Sequence, residues 1–429
     1  MFREEELSAR RSMSGMMQAS LTGGLGMLIY VALARAMSVE GFGEFSAARG
    51  ALSITTLVAS LGMGPLATSL YRSKSTQRDG RHARGLRLAG PILIVLCSVL
   101  TYVTLVSLHA EIDDRTAVRL ATFAAVLGML PLYALSGFFS MCGAAHGAAV
   151  LSNAVYGWGT QVLLLLVLGV TVLAWGHPLS VLDVVAVFAV AATGGVFATW
   201  LVLVRVEPHY LRKGSRHYDV RGWLRSGIPF ALASIALSIL DSGGVVVLGW
   251  VHANAKAAAH LTAASKVGWL IFVMGGSLRL IFRPVMVEAI EARSSIALRR
   301  IFRLWLRRIV PVALPLAVGM ILAGSPLLRL YGEDFVAAYW TLVIYTVNYT
   351  IGALTLPLLP LYQYLGHGRT AVKIMFSAAG LGVMGMIVLG FFWQDSGVAL
   401  ATGVSLNSAV ALIGWRAWRE VRSWDDEES

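Results

Sequence analysis

The chain has 429 residues, of which 57% are hydrophobic and only 14% are charged, and its mean hydropathy is positive. This composition excludes an ordinary soluble domain, in which about a quarter of the residues are charged. The formal net charge is +12, but basic residues also accumulate in the cytoplasmic loops of membrane proteins, beside anionic lipids. We therefore expect an all-α integral membrane protein that contacts membrane lipids and has no nucleic-acid partner.

About twelve segments are long enough to cross a bilayer, because a span needs about 20 mainly apolar residues. The predicted spans are 14–36, 44–71, 88–109, 118–142, 148–175, 181–205, 224–251, 256–285, 304–324, 334–364, 370–393 and 396–417. They predict an N-terminal six-helix bundle (1–205), a cytoplasmic linker (206–223) and a C-terminal six-helix bundle with a short cytoplasmic tail (224–429).

The orientation follows from the basic residues, since cytoplasmic loops retain Lys and Arg. Basic clusters occupy 72–87, 205–225 and 293–308, whereas the loops on the opposite side contain only Arg35, Arg115, Arg119, Lys256 and Arg329. This asymmetry predicts that both termini are cytoplasmic. The outer loops are also too short for a folded domain, so the function must lie among the helices.

A polar stripe marks the second span, within the hairpin formed by residues 32–72. At 3.6 residues per turn, one helix face carries Ser46, Arg49, Ser53, Thr56 and Ser60. An arginine near the bilayer centre costs about 2.5–3.5 kcal/mol or more, so this face should line a polar cavity. The alternative is that Arg49 pairs with a nearby glutamate, Glu44 or Glu40.

The chain also repeats itself weakly. A shift of 216 residues aligns the segment 45–49 with 261–265, and Lys266 then lies one position beyond the equivalent of Arg49. The shift covers an even number of spans, which predicts a parallel repeat of six plus six helices. Helix-breaking residues follow in both halves and are expected to kink the helices, either as hinges or as tolerated defects: Gly62, Gly64, Pro65, Pro131, Gly275, Gly276, Pro284, Pro357 and Pro360.

The hairpin carries a recognisable motif. Ala34-Arg35, a short turn and Gly41-Phe42-Gly43-Glu44-Phe45-Ser46 resemble the start of Wzx-type polysaccharide (O-antigen) flippases, and Thr262-Ala263-Ala264-Ser265-Lys266 is similar to their second-half motif. The family belongs to the multidrug, oligosaccharidyl-lipid and polysaccharide exporter superfamily. The resemblance implies a MATE-like, V-shaped pair of bundles in the bacterial inner membrane. It further implies that the protein flips an undecaprenyl-pyrophosphate-linked oligosaccharide to the periplasmic leaflet. Two departures are Leu261, where an aromatic residue is usual, and the lack of extra C-terminal helices like those of the related lipid II flippases, so no groove for the lipid tail is expected on such helices.

Charged residues inside the predicted spans are candidates for substrate binding and ion coupling. We expect Arg49 and Lys266 to bind the pyrophosphate in a cationic cavity, because guanidinium and ammonium groups bind phosphate oxygens. Asp241 is predicted to couple transport to H⁺ or Na⁺, or to form a structural ion pair with Lys266 at matching depth. Further candidates for substrate binding are Ser53 and Thr56 of the stripe, and Asn348 and Tyr345, for which interhelical hydrogen bonding is the alternative. Arg279 and Arg283 are candidates for substrate entry or lipid headgroups.

Other functions remain open at this stage. An antiporter of drugs or metabolites in the same superfamily is the nearest rival, although cationic drugs would favour a carboxylate-lined cavity. A non-transporting scaffold of a polysaccharide assembly complex is the second. Enzyme activity, a cofactor and a metal site are not expected, and a polysaccharide polymerase and chain-length proteins are candidate partners.

Overall fold

The computed structural model describes residues 18, 21–72, 80–176, 178–208, 211 and 214–428. Within these ranges the side chains at 72, 229, 233, 274–281, 283–284 and 425–428 are not described. The described chain is almost wholly helical and contains no strand, so the all-α prediction is confirmed.

The helices follow one another with short connections. The α-helices are α1 (Leu21–Ala36), α2 (Val39–Ala59), α3 (Met63–Arg72), α4 (Arg81–Ala110), α5 (Leu120–Leu127), α6 (Leu130–Gly143), α7 (Ala149–Ala154), α8 (Thr160–Trp175), α9 (Val181–Val206), α10 (Val220–Trp250), α11 (Ala255–Glu291), α12 (Ser295–Leu322), α13 (Gly324–Arg329), α14 (Tyr339–Thr355), α15 (Leu358–Tyr362) and α16 (Gly368–Glu428). Single π-helical turns occupy Ala144–Ala148, Val155–Gly159 and Gln363–His367.

If bent or interrupted neighbours such as α2 and α3 are joined and α16 is divided at its kink, the described helices other than α13 fall into twelve runs that correspond to the predicted spans. The runs are 21–36, 39–72, 81–110, 120–143, 149–175, 181–206, 220–250, 255–291, 295–322, 339–362, 368–392 and 395–428, the last two separated by a kink at Trp393 and Gln394. By length and composition alone, five described helices could cross a membrane, or up to seven if each bent pair counts as one span.

Several helices extend beyond their predicted spans at basic ends, most clearly at the start of α4 and of α12. α4 begins at Arg81 rather than near residue 88, and α12 begins at Ser295 rather than near residue 304. Ser294 caps α12, since its hydroxyl accepts a hydrogen bond from the Ala297 amide at 3.2 Å. Hydropathy detects only the part of a helix that is apolar enough for the hydrocarbon core of the bilayer. The basic first turns of α4 and α12 are therefore assigned to loops from the sequence.

The chain divides into two compact units, one formed by Met1–Val31 with His260–Ser429 and the other by Ala32–Ala259. In the unit Ala32–Ala259, a buried cluster packs α3, α4, α6 and α10 together around Met63, Leu86, Phe138 and Trp223. In the other unit, α11, α12 and α14 pack around Ile271, Trp305 and Ala353. The predicted bundle boundaries at 205 and 224 concern the internal repeat and stay a prediction.

The helix break predicted at Gly62 is confirmed. The axes of α2 and α3 differ by 43° across it, and both Leu61 and Gly62 have positive φ angles of 49° and 68°. A Cβ at Gly62 would lie 2.1 Å from the Gly227 carbonyl oxygen of α10. The position therefore requires glycine both for its backbone conformation and for the close approach of α10.

The two halves share one unusual corner. The π-helical turn at Ala144–Ala148 contains Gly147 with φ +93°, and the turn at Gln363–His367 contains Gly366 with φ +94°. A Cβ at either glycine would meet no atom within 4 Å, so the left-handed conformation alone favours glycine there. A tyrosine–histidine stack accompanies each corner, Tyr71 with His146 and Tyr362 with His367.

Candidate functional site

Arg49 lies on α2 with its guanidinium against aromatic rings. Its Cζ atom is 4.3 Å from the ring centroid of Tyr133 and 5.7 Å from that of Phe188. Nε is buried and has no hydrogen-bond partner among the described residues. The cation is therefore stabilised by ring faces, and its hydrogen-bonding capacity is not used up within the described part of the unit.

The neighbouring hydroxyls of the stripe are satisfied locally. Ser53 Oγ donates to the Arg49 carbonyl at 3.0 Å, and Thr56 Oγ1 donates to the Leu52 carbonyl at 2.6 Å. Such bonds to the preceding turn are usual for Ser and Thr on membrane helices and leave the oxygen lone pairs free to accept. Ser53 and Thr56 can thus accept hydrogen bonds from a ligand.

Glu44, one predicted alternative partner of Arg49, has another role. Its side chain is only 7% exposed, and Oε1 accepts a hydrogen bond from the Arg119 amide at 3.0 Å. Arg119 is the N-cap residue of α5, so the carboxylate joins the start of α2 to the start of α5. The other alternative, Glu40, is exposed.

A cavity of about 260 Å³ lies beside Arg49 within the unit Ala32–Ala259. Tyr133 connects the cavity with Arg49, because its ring contacts the guanidinium and also lines the cavity. The polar lining consists of Thr56, Ser60, Tyr133, Ser140, Asn153, Tyr156 and Ser234. The cavity therefore combines hydroxyl, amide and aromatic groups next to a cation.

Lys266 lies on α11 in the other unit and repeats the arrangement of Arg49. Its Nζ atom is 5.0 Å from the ring centroid of Tyr30. Two residues further on, α11 approaches α14 closely: a Cβ at Gly268 would lie 3.1 Å from Tyr349 and 3.3 Å from Tyr345. Each unit thus holds a helix-borne cation over a tyrosine ring.

Tyr345 and Asn348 take part in helix packing. Tyr345 is 3% exposed and stacks on Tyr349, with ring centroids 5.5 Å apart. Asn348 Nδ2 donates to the Ala399 carbonyl of α16 at 3.1 Å, and a Cβ at Gly403 would lie 1.8 Å from the same nitrogen. These contacts join α14 to α11 and α16, which is the interhelical alternative weighed from the sequence.

We predict that Gly403→Ala lowers the melting temperature of the detergent-solubilised protein, because the added methyl group would overlap the Asn348 amide. Overpacking of this kind costs about 1–3 kcal/mol. Gly380→Ala, on the part of α16 before its kink, is the control, since a Cβ there meets no atom within 4 Å. Asn348→Ala should recover part of the loss in the double variant, and independent, additive effects of the two changes would contradict the contact.

For the remaining predicted site residues, Asp241, Arg279 and Arg283, the structure gives fewer contacts. Asp241 is exposed on α10, and its Oδ2 accepts from Ser242 Oγ at 3.5 Å, at the limit of hydrogen bonding. The pairing of Asp241 with Lys266 joins residues of different units and stays a prediction. Arg279 and Arg283 lie on α11, but their side chains are outside the described residues.

Sequence reasoning did not identify the rings of Tyr133, Phe188 and Tyr30 as partners of the cations. Within spans, isolated aromatic residues read as core or lipid-facing positions. Tyr133 offered a weak signal, since it lies two residues after Pro131 and carries a hydroxyl group inside a span.

Comparison with solved structures defines the class of the fold. The chain is similar over 97% of its length to a multidrug resistance MATE family transporter of the MOP superfamily, with a TM-score of 0.73 to its inward-facing conformation, 13% identity and 100% of that chain covered. The outward-facing conformation of such a transporter gives 0.64, with 15% identity and coverage of 97% and 96%. A MOP superfamily transporter from Pyrococcus furiosus gives 0.60, with 14% identity and coverage of 96% of both chains. The chain thus has the fold of MOP superfamily transporters.

The family follows from the sequence itself. The family model described as "Polysaccharide biosynthesis protein" matches residues 9–278, which include Arg49, Asp241 and Lys266. The chain belongs to this family, and the resemblance stated from the hairpin is confirmed. No curated protein matches the chain. Family and fold together indicate a multi-pass membrane transporter.

Proposed function

We propose that the protein flips an undecaprenyl-pyrophosphate-linked oligosaccharide from the cytoplasmic to the periplasmic leaflet of the bacterial inner membrane. Both termini are cytoplasmic in this proposal, and the helices alternate between inward-open and outward-open states. The observation that carries it is Arg49, a half-buried cation on an apolar helix whose Nε lacks a hydrogen-bond partner among the described residues. Ionisable groups inside spans are costly and are commonly retained for function.

The energetics favour an exchange of partners at Arg49. Contact with an aromatic face stabilises a cation by about 0.5–2 kcal/mol, whereas each hydrogen bond to a charged group contributes about 1.5–3 kcal/mol. A guanidinium donates two parallel hydrogen bonds to phosphate oxygens. The Tyr133 ring therefore stabilises the cation in the empty state, and a pyrophosphate stabilises it more strongly.

Lys266 supplies the second cation in this mechanism. It occupies nearly the position equivalent to Arg49 in the predicted repeat and also lies over a tyrosine. Its ammonium group can therefore exchange the ring for a phosphate, as a compact charge and not as a planar guanidinium. Each cation contacts the pyrophosphate at a stage of the cycle. Asp241 is the proposed proton or Na⁺ site, and its ionisation would set the affinity of Lys266 for phosphate.

The sign of the charge favours this cargo over a cationic drug. Along the sequence of α2, α10 and α11, the predicted spans include Arg49, Lys266, Arg279 and Arg283 against Asp241 and Glu44. Glu44 lies at the edge of its span, and its carboxylate is bonded to the Arg119 amide. The solved structure of the Pyrococcus furiosus transporter is described as having a reverse polarity of its binding pocket that suggests a different function. This precedent supports the view that pocket polarity follows the cargo within this fold.

The test is transport by purified protein in vesicles that carry a fluorescent polyprenyl-pyrophosphoryl sugar. Wild type should move the lipid between leaflets, and Lys266→Ala should reduce the rate at least tenfold at matched protein levels. Lys256→Ala, an exposed lysine at the start of the same helix, is the matched control and should retain the full rate.

The same assay separates the alternatives. A wild-type protein that moves no lipid would favour the scaffold, and efflux of ethidium without lipid movement would favour a drug antiporter. Full lipid transport by Lys266→Ala would reject the role of this cation. Imposing a proton gradient or a Na⁺ gradient separately identifies the coupling ion.

A further inference from the structure

The cavity beside Arg49 has a definite place along the helices. Thr56 lies seven residues beyond Arg49 on α2, about 10 Å further along the helix axis, and Ser60 lies one more turn away. The other walls come from the segment 62–65, from α6, from α7 and the turn that follows it, and from Phe230 and Ser234 of α10. Tyr133 forms the boundary with the guanidinium, so the cavity continues directly from the cation.

The size of the cavity limits what it can hold. Pockets for drug-sized ligands are about 300–1,000 Å³, so a cavity of about 260 Å³ suits one ring and not an oligosaccharide. Its lining mixes hydroxyl groups with apolar and aromatic surface. A pyranose ring has the matching chemistry, with hydroxyl groups around its rim and C–H groups on its faces that pack against aromatic rings.

Two side chains are available to such a ring. Asn153 and Tyr156 are both exposed, Tyr156 by 44%, and both line the cavity. Neither the Asn153 amide nor the Tyr156 hydroxyl makes a hydrogen bond to another described residue. An amide offers two donors and an acceptor, and a phenol offers one of each. These groups can therefore read the positions of ring hydroxyls.

A π-helical turn positions the side chains of Asn153 and Tyr156. Tyr156 lies in the π-helical turn Val155–Gly159, and Asn153 lies in the last turn of α7 just before it. A single π turn shifts the register of the following helix and occurs frequently at functional sites. Gly137 of α6 faces the turn: a Cβ there would lie 3.7 Å from Tyr156 Oη. A Cβ alone would make an ordinary contact with the phenol, whereas a larger side chain at position 137 would extend toward it.

We propose that this cavity binds the sugar ring attached directly to the pyrophosphate, and that Asn153 and Tyr156 determine which sugar is accepted. The inference rests on the proposed function, since the phosphate at Arg49 brings the first sugar to the cavity. Later sugars of the chain extend beyond it. The protein then selects its cargo by one ring, while the remainder of the oligosaccharide is free to vary.

The test compares short-chain probes that differ by a single ring. Binding to detergent-purified protein is measured for citronellyl pyrophosphate and for its glucosyl, galactosyl, N-acetylglucosaminyl and N-acetylgalactosaminyl derivatives. Wild type should bind at least one glycosyl probe more tightly than the unglycosylated probe. Asn153→Ala and Tyr156→Phe should each reduce that preference roughly five- to tenfold, while affinity for citronellyl pyrophosphate is unchanged.

A cavity-filling variant provides an independent measurement. Gly137→Leu should abolish the preference, whereas Gly169→Leu on α8, where a Cβ meets no atom within 4 Å, should keep it. Wild type that binds all five probes equally, or variants that keep the wild-type preference, would overturn the sugar site and leave the proposed flippase intact. Wild type that binds none of the probes would contradict the proposed function itself.

Discussion

Arg49→Ala is expected to abolish export of the lipid-linked glycan without destabilising the protein. The folded protein loses the contact between the guanidinium and Tyr133, which contributes about 0.5–2 kcal/mol. Removing the guanidinium also removes the cost of an incompletely bonded charge inside a span, so the two effects on stability oppose each other. Binding of a pyrophosphate should weaken roughly 10- to 100-fold. The measurements are the melting temperature and the rate of lipid transfer in vesicles.

Arg49→Lys is the informative companion variant. Lysine keeps the charge but loses the planar fork that forms two parallel hydrogen bonds. We expect transport between that of wild type and that of Arg49→Ala. Equal transport by the lysine variant and wild type would mean that charge alone matters, and normal transport by Arg49→Ala would reject the site.

Gly43→Val is expected to block transport by a steric route. A Cβ at Gly43 would lie 1.8 Å from the Ala255 carbonyl oxygen at the start of α11, so a branched side chain cannot be accommodated while the two segments touch. At the same corner, α10 also approaches α2 through small residues, Gly249 and Ala47. The variant should therefore hold this corner apart and lower the rate at least tenfold.

The separation can be measured with a thiol reagent. Ala257 is 2% exposed, so Ala257→Cys should resist a maleimide in a background without Cys97 and Cys142, and should react once Gly43→Val is added. Gly169→Val is the control because it has open space around it. Unchanged labelling together with normal transport would show that this corner tolerates a side chain.

Much of the fold could be predicted from the sequence because the bilayer imposes a simple rule of length and apolarity. The bend at Gly62 was also predictable, since Gly and Pro act locally. The π-helical turns were not, because a change of backbone register leaves no mark in hydrophobic periodicity. Nor were the basic first turns of α4 and α12, which lie outside the apolar segments.

The candidate site was predicted in part. The stripe on α2 shows Arg49 and its neighbouring hydroxyls, because residues of one helix face recur at fixed spacing. Tyr133 and Phe188 come from other helices, and their approach to Arg49 depends on how α2, α6 and α9 pack. The Asn348 amide has the donors and the acceptor that a ligand-binding residue needs, yet it donates a hydrogen bond to α16. Only the tertiary contacts distinguish ligand binding from helix packing.

Gly147 and Gly366 give the two predicted halves of the chain one common backbone feature. The surrounding sequences differ, with His146 before one glycine and His367 after the other, but the φ angles agree within a degree. A positive φ angle of this kind is open to few residues other than glycine, so neither position accepts a side chain without backbone strain. The two corners are therefore alike in their backbone angles and not in the residues around them.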